Sequence, residues 1–201
     1  MAKSKSYHKE DLRKDLLDAG RAYVEAHGHQ SLSVRTLAQK VGVSAGAPYH
    51  HFGDRRVLLL AIASDGFRTL TLGAAAIGAS SLSGRDKLIA LGLHFIEFAD
   101  KFPRLFELMY ESELSTPSQP PELEKYQKMG GELIEAAIAS GLRRASPRSI
   151  AIRAVAFWAF VYGFAALRRI YDLHSLDRFR MSRSALARSI VTQAATAALA
   201  K

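Results

Sequence analysis

The histidines of this sequence are its best candidates for chemistry, but their spacing argues against a catalytic or metal site. His50 and His51 are adjacent, so on a helix their side chains point about 100° apart and cannot hold one metal ion. The 201-residue chain has no cysteine. It also has no HExxH pair and no glycine-rich phosphate loop. We therefore expect no enzyme, no metal site and no cofactor.

Residues 33–56, SVRTLAQKVGVSAGAPYHHFGDRR, offer binding chemistry instead. Apolar residues at helical spacing predict a short helix with one buried face, a serine cap at its start and a glycine at its end. The residues of this pattern are Ser33, Leu37, Ala38, Val41 and Gly42. Ser44 can then cap a second short helix that reaches Phe52. The pattern predicts two helices joined by a tight turn.

The outer face of the second predicted helix is small and flat, with one aromatic hydroxyl and one imidazole. It consists of Ala45, Gly46, Ala47, Tyr49 and His50. A helix-turn-helix needs such a face on the helix that enters a major groove about 12 Å wide. Pro48 falls inside this helix, where it lacks the N–H and collides with the carbonyl four residues back. The helix must therefore begin late or carry a distorted first turn.

These residues resemble the N-terminal domain of the tetracycline-repressor (TetR) family of transcriptional regulators. The resemblance rests on the run LAQKVGVS and on Tyr49, His51-Phe52, Asp54-Arg55 and Leu58-Leu59, in that order. A chance match to a helix-turn-helix is the alternative. The Ala-Pro-Tyr before His-Phe resembles one branch of the family and leaves the base contacts open.

The resemblance implies a role for each residue of the motif. Positions that match Tyr49 and His51 touch the DNA backbone, and the position that matches Arg55 holds a phosphate. The start of the first helix can also bind phosphate through its N–H groups, at Ser33, Val34 and Arg35. Base reading falls to Ser44, Ala45, Gly46, Ala47 and His50, where methyl contacts and DNA shape carry much of the sequence choice. For Tyr49 the alternative is packing beneath the first helix of the chain.

Composition sets the broad class of this protein. Hydrophobic residues make up 48% of the chain, which is ample for a sizeable core. The absence of cysteine and the polar start of the sequence predict a cytoplasmic protein. The net charge of +9 suits a polyanionic partner. Residues 142–201 hold eleven Lys and Arg against two Asp and Glu. This basic third is either a solvated helix edge or the entrance for an anionic ligand.

The remaining sequence predicts helices only, because it shows no sustained alternation and no hairpin turn. The predicted helices outside the motif cover residues 8–27, 54–79, 86–101, 103–112, 121–141, 147–171 and 182–199. We predict an all-α fold with two domains. Residues 1–53 form a three-helix, helix-turn-helix DNA-binding domain, and residues 54–201 form a helical bundle for effector binding and dimerisation.

Residues 154–167 are apolar on every side of the predicted helix, and Arg153 and Arg168 flank them. A membrane span needs about 20 such residues, so we predict a fully buried helix and no membrane contact. The apolar surface of this helix and of the last one exceeds what a small domain covers. We therefore predict a homodimer built on the last two helices.

Aromatic and methionine side chains after the motif either line an effector cavity or form plain core. The predicted effector residues are Phe67, His94, Phe98, Phe102, Phe106, Met109, Tyr110, Trp158 and Tyr162. His94 is either a polar anchor in that cavity or a core-edge histidine with a backbone partner. The stretch Trp158…Tyr162-Gly163 resembles a Trp-His-Gly type of TetR ligand-binding domain, with tyrosine in place of histidine.

Two functions follow from this sequence. One is a sequence-specific repressor that a small, largely apolar ligand releases from a palindromic operator in double-stranded DNA. The other is an architectural or constitutive DNA-binding regulator without an effector, whose helical domain serves only dimerisation.

Overall fold

The computed structural model describes residues 9–112, 120–170 and 181–200. In those residues the chain is helical without any strand, and the predicted all-α fold is confirmed. Within the described residues a 3-10 helix, Ala47–His50, accompanies eight α-helices. The α-helices are α1 Lys9–His27, α2 Val34–Val41, α3 Arg55–Ala79, α4 Gly84–Lys101, α5 Pro103–Tyr110, α6 Pro121–Gly141, α7 Pro147–Ile170 and α8 Arg183–Ala198. The predicted end of α7 at residue 171 lies outside the described residues.

The helices form two compact units. The first unit comprises Met1–Phe67 and Phe102–Leu123, and the second comprises Arg68–Lys101 and Glu124–Lys201. The short helix α5 therefore belongs to the same unit as α1 and α2. The functional boundary predicted between residues 53 and 54 stays a prediction.

The core of the first unit holds the predicted DNA-binding motif in place. Leu16 of α1, Leu37 of α2 and Ile62 of α3 are all fully buried. Gly20 lets α1 approach α3 closely, because a Cβ there would lie 2.7 Å from the Cδ1 atom of Ile62. Phe52 is buried just before α3 begins. The motif therefore packs on the hydrophobic core of the first unit.

A reciprocal pair of polar contacts fastens α5 to the end of α1. Arg104 donates from Nη1 to the carbonyl oxygens of Glu25 and Ala26, in the last turn of α1. The Glu25 carboxylate accepts the backbone N–H of Leu105 at 3.1 Å, in the first turn of α5. Helix ends leave such carbonyls and N–H groups without partners inside the helix. Each helix thus satisfies the free end of the other.

The second unit packs α4 against α6, α7 and α8. The buried face of α4 consists of Leu88, Leu91, Phe95 and Phe98. A Cβ at Gly92 would lie 2.6 Å from Val191 of α8, and one at Gly84 would lie 2.4 Å from the carbonyl oxygen of Ala137 in α6. Arg153 of α7 closes the end of α8 by donating to the Ala198 and Ala200 carbonyls at 2.9 and 2.8 Å.

The prediction that α7 is fully buried is wrong. Ala154, Phe157 and Val161 are buried, but the opposite side of the helix is open to solvent. Its exposed apolar residues are Ile152, Val155, Trp158, Phe160 and Leu167. A single chain covers only one side of a helix that is apolar all round. By length and composition α3 and α7 could each cross a membrane, a property that core helices of soluble proteins share.

Candidate nucleic-acid interface

The caps predicted for α2 are confirmed at both ends. The Ser33 hydroxyl accepts the backbone N–H of Thr36 at 3.0 Å and shares a second hydrogen bond with the Thr36 hydroxyl at 2.7 Å. Gly42 adopts a left-handed conformation with φ 77°, and its N–H reaches the carbonyls of Ala38 and Gln39. These contacts set where α2 starts and where the turn after it begins.

The segment after this turn is not the α-helix that the sequence predicts from Ser44 to Phe52. A turn, closed by the Ala47 N–H on the Ser44 carbonyl at 3.1 Å, leads into the 3-10 helix of four residues. Pro48 sits in the first turn of this helix, where its missing N–H costs no bond. The expected late start is confirmed, and the proline restricts the helix to one short turn.

The 3-10 geometry decides which side chains share a line. With three residues per turn, Ala47 lies in line with His50, and Gly46 lies in line with Tyr49. Tyr49 is 53% exposed, which argues against packing beneath α1. His50 is also exposed, as are Ser44, Ala45 and Gly46, whereas Ala47 is half-buried. The predicted base-reading residues therefore lie close together, and all of them except the half-buried Ala47 are exposed.

Two of the predicted phosphate-binding side chains differ in exposure. Val34 is buried at the first position of α2, so only its backbone N–H could meet a phosphate. Arg35 is exposed beside it. His51 is half-buried, with its ring 6.4 Å from that of Phe52.

Arg13, which sequence reasoning missed, places its guanidinium 5.6 Å from the Phe52 ring centroid. Nothing in the sequence near the motif signals this contact, because Arg13 belongs to α1.

The Arg55 side chain forms hydrogen bonds to the loop between α1 and α2. Its Nε atom donates to the Leu32 carbonyl at 2.8 Å. Its Nη2 atom donates to the carbonyls of His29 at 2.8 Å and Gln30 at 3.0 Å. Three of the five guanidinium N–H groups thus bind backbone oxygens of the protein itself.

Five of the predicted effector residues lie in the first unit. Phe67, Phe106 and Met109 are buried. The Tyr110 ring lies 5.0 Å from Phe67, edge on, and 4.8 Å from Phe106. Phe102 stands apart from this set in its chemistry, because its ring faces the Arg21 guanidinium at 4.9 Å. An aromatic cluster therefore exists beside α1, built from α3 and α5.

The other four predicted effector residues lie in the second unit. Phe98 is buried on α4. His94 bonds the Leu70 carbonyl through Nε2 at 3.0 Å, and it fills the space over Gly73, where a Cβ would lie 2.5 Å from its ring. This contact fits the core-edge alternative. Trp158 and Tyr162 stack on α7 with centroids 5.3 Å apart, and Trp158 is 42% exposed.

Arg168, in the last turn of α7, forms an ion pair with Asp100 that the sequence did not predict. Its side chain is 10% exposed, and its Nη2 atom donates to the Asp100 carboxylate at 2.8 Å. Its Nη1 atom is buried and has no hydrogen-bond acceptor among the residues that the structure describes. The only hint in the sequence was the position of this arginine directly after the apolar residues 154–167.

Comparison with protein families decides the identity. Residues 16–62 match the profile described as bacterial regulatory proteins, tetR family. Residues 88–192, more than half of the chain, match the profile described as Tetracyclin repressor-like, C-terminal domain. The chain belongs to the TetR family. TetR proteins are transcriptional regulators and not enzymes, which confirms the expectation of a non-enzymatic protein.

Curated TetR relatives match parts of the chain. Over 53 residues it is 40% identical to the transcriptional repressor AcnR of Corynebacterium glutamicum. This match covers 26% of this chain and 28% of the relative. Over 102 residues it is 32% identical to the repressor Rv1474c of Mycobacterium tuberculosis, covering 51% of this chain and 50% of the relative. The chain thus spans about a quarter to a half of the length of these relatives.

Solved structures share the fold of this chain over nearly its whole length. A protein of unknown function from Rhodococcus sp. RHA1 superposes with a TM-score of 0.77 at 28% identity, covering 98% of this chain and 97% of that one. The TetR regulator PfmR from Thermus thermophilus superposes with a TM-score of 0.65 at 18% identity, covering 89% of this chain and 96% of that one. The second likeness concerns the fold alone. The likeness of residues 158–163 to a Trp-His-Gly type stays a prediction.

Proposed function

We propose that this TetR-family chain is a cytoplasmic, sequence-specific DNA-binding repressor that acts as a homodimer on a palindromic operator. The observation that carries the proposal is the exposed face of residues 44–47, Tyr49 and His50, held between the capped α2 and the start of α3. The names of AcnR and Rv1474c, both repressors, support repression. Residues 1–53 read DNA in this proposal, and residues 54–201 dimerise and take the effector.

The proposed contacts divide into backbone positioning and base reading. Arg35, Tyr49, His51 and the N–H groups at the start of α2 meet phosphates. Base edges meet residues 44–47 and His50. A methyl-rich face suits thymine methyl groups, and the imidazole supplies the hydrogen bond.

Substitutions on this face should separate the two kinds of contact. We expect His50→Ala to lower the preference for operator over random duplex by about 100-fold, since each of the two subunits loses one base contact worth about 1–3 kcal/mol of discrimination. Tyr49→Ala should weaken binding to both duplexes alike. Fluorescence anisotropy on an operator selected from a randomised library measures both. If both variants bind both duplexes as the parent does, the reading face is elsewhere.

Homodimerisation through α7 and α8 is supported by their exposed surfaces. The apolar side of α7 described above stands beside an α8 side with only small or polar side chains, which allows close approach of a second copy. These α8 residues are Ser189, Thr192, Gln193, Thr196 and Ala197. Two recognition segments about 34 Å apart read two half-sites of a palindrome. Association buries an apolar face that otherwise meets water.

Release by a small, largely apolar effector is supported by the aromatic cluster of Phe67, Phe106 and Tyr110 and by the attachment of α5 to α1. A ligand that displaces α5 would act directly on α1 through Arg104 and Glu25. It need only bind the released form better than the DNA-bound form. A difference of about 2–3 kcal/mol lowers operator affinity roughly 30- to 150-fold.

The packing of this cluster favours the second candidate, a DNA-binding regulator without an effector. Phe106 is fully buried, and a Cβ at Gly66 would lie only 2.6 Å from the Met109 sulfur, so α3 and α5 are closely packed. Native mass spectrometry of the purified dimer distinguishes the two candidates. A co-purified small molecule that lowers operator affinity supports the effector. A ligand-free protein that no compound in a thermal-shift screen stabilises supports the second candidate.

A further inference from the structure

We propose that Arg55 serves DNA binding mainly as a positioning residue, which ties the loop before α2 to the start of α3. This inference rests on the proposed function and assigns Arg55 a role other than the phosphate contact that family resemblance implies. Its three hydrogen bonds to the carbonyls of His29, Gln30 and Leu32 carry the inference. All three acceptors belong to residues 28–33, the connection from α1 to α2.

The position of these carbonyls links Arg55 to the DNA-binding surface. The Leu32 carbonyl belongs to the peptide group that enters Ser33, the N-cap of α2. The orientation of this peptide helps to set where the first N–H groups of α2 point, and these groups are the proposed phosphate contacts. The His29 carbonyl also accepts the Leu32 N–H at 3.2 Å, which makes the loop a closed turn. Arg55 therefore holds the loop that leads into Ser33, the N-cap of α2.

Arg55 is itself held at a capped helix start. The Asp54 carboxylate accepts the backbone N–H of Val57 at 2.8 Å, and Arg55 is the first residue of α3. Its backbone thus belongs to the start of α3, while its side chain holds the start of α2. The two helix starts that flank the reading face are joined by one side chain.

The donor geometry explains why arginine, and not any cation, fits this position. Nε and Nη2 of a planar guanidinium donate in a fixed fork, which reaches three converging carbonyls at once. A lysine ammonium keeps the charge but has no such fork. Charge alone would suffice for a phosphate contact, so Arg55→Lys separates positioning from phosphate binding. Arg35, exposed on the first turn of α2, supplies the matched comparison for a phosphate-binding cation.

The experiment measures operator affinity against salt for the parent, Arg55→Lys, Arg55→Ala and Arg35→Ala, on the duplex that the parent selects from a randomised library. Both Arg55 variants should lose affinity about 10-fold or more and keep the parent's salt slope, because the loop before α2 must then be ordered when DNA binds, and this ordering costs affinity. Arg35→Ala should lower the slope by about 1.8, the share of two phosphates, because each subunit of the proposed dimer loses one contact. Amide hydrogen exchange at Leu32 and Thr36 should accelerate in the Arg55 variants only.

Opposite results would overturn the proposal. A slope lower by about 1.8 in Arg55→Ala, restored together with affinity in Arg55→Lys, would make Arg55 a phosphate contact in both subunits. A lower unfolding midpoint with parental affinity would make it merely structural. Should Arg55→Ala not fold, the comparison of Arg55→Lys with the parent decides. A parent that selects no operator refutes the proposed function, and hydrogen exchange at Leu32 still decides whether Arg55 holds the loop.

Discussion

Val155→Glu is expected to convert the protein to a monomer at micromolar concentration and to lower operator affinity by about 10²–10⁴-fold. Val155 is 65% exposed on α7, so the substitution adds no charge to the core of a single chain. In a dimer that buries this face, two carboxylates would lose their hydration without partners. Each monomer would then bind a half-site alone and lose the gain from linking two sites. Light scattering gives the mass, and anisotropy gives the affinity.

Leu82→Glu supplies the control for this prediction. Leu82 is also a large exposed apolar residue, but it precedes α4 and lies outside the α7 and α8 surface. It should leave both mass and affinity unchanged. The fluorescence of Trp158, the only tryptophan in the chain, gives a second measurement, because burial in the dimer should shift its emission to the blue. A dimer of parental strength in Val155→Glu would exclude this face as the interface.

Gly84→Ala is expected to destabilise the second unit by about 1–3 kcal/mol or more, the usual cost of overfilling a packed contact. A Cβ at Gly84 would lie 2.4 Å from the Ala137 carbonyl oxygen and 2.4 Å from the Ser140 hydroxyl. The carbonyl belongs to the backbone of α6, so α4 itself must shift. The melting temperature should fall by about 2–4 °C for each kcal/mol lost.

Gly131→Ala should raise the stability of the protein instead of lowering it, and it serves as the matched control. Gly131 lies inside α6, is exposed, and has nothing within 4 Å of an added Cβ. Alanine there should stabilise the helix by about 0.5–1 kcal/mol. Differential scanning calorimetry compares the two variants. Equal melting temperatures for Gly84→Ala and the parent would show that α4 and α6 can separate without cost.

Local features of the fold could be predicted from sequence, since their causes lie within a few residues. Ser33 and Gly42 cap α2 as expected, because the groups that they bind are three or four positions away. The effect of Pro48 was partly predictable. Proline excludes an α-helix interior, but the choice of a single 3-10 turn depends on how the segment packs.

Features set by distant parts of the chain could not be predicted. Arg55 binds carbonyls 23 to 26 positions earlier, and Arg104 binds carbonyls about 80 positions earlier, so no local pattern reveals either contact. The prediction that α7 is fully buried failed for another reason. A helix that is apolar on every side predicts burial, but sequence does not state whether the same chain or a second copy supplies the cover.

The apolar side of α7 gives the proposed dimer a different response to ionic strength from that of the proposed DNA contact. Apolar association is not weakened by screening, and salting-out ions such as sulfate strengthen it. Binding to phosphates loses affinity steeply as salt rises, because counterions are no longer released with the same gain. Concentrated salt should therefore strip DNA from the protein while leaving the two subunits together. The protein that leaves one operator would reach the next already assembled, with both reading faces in place.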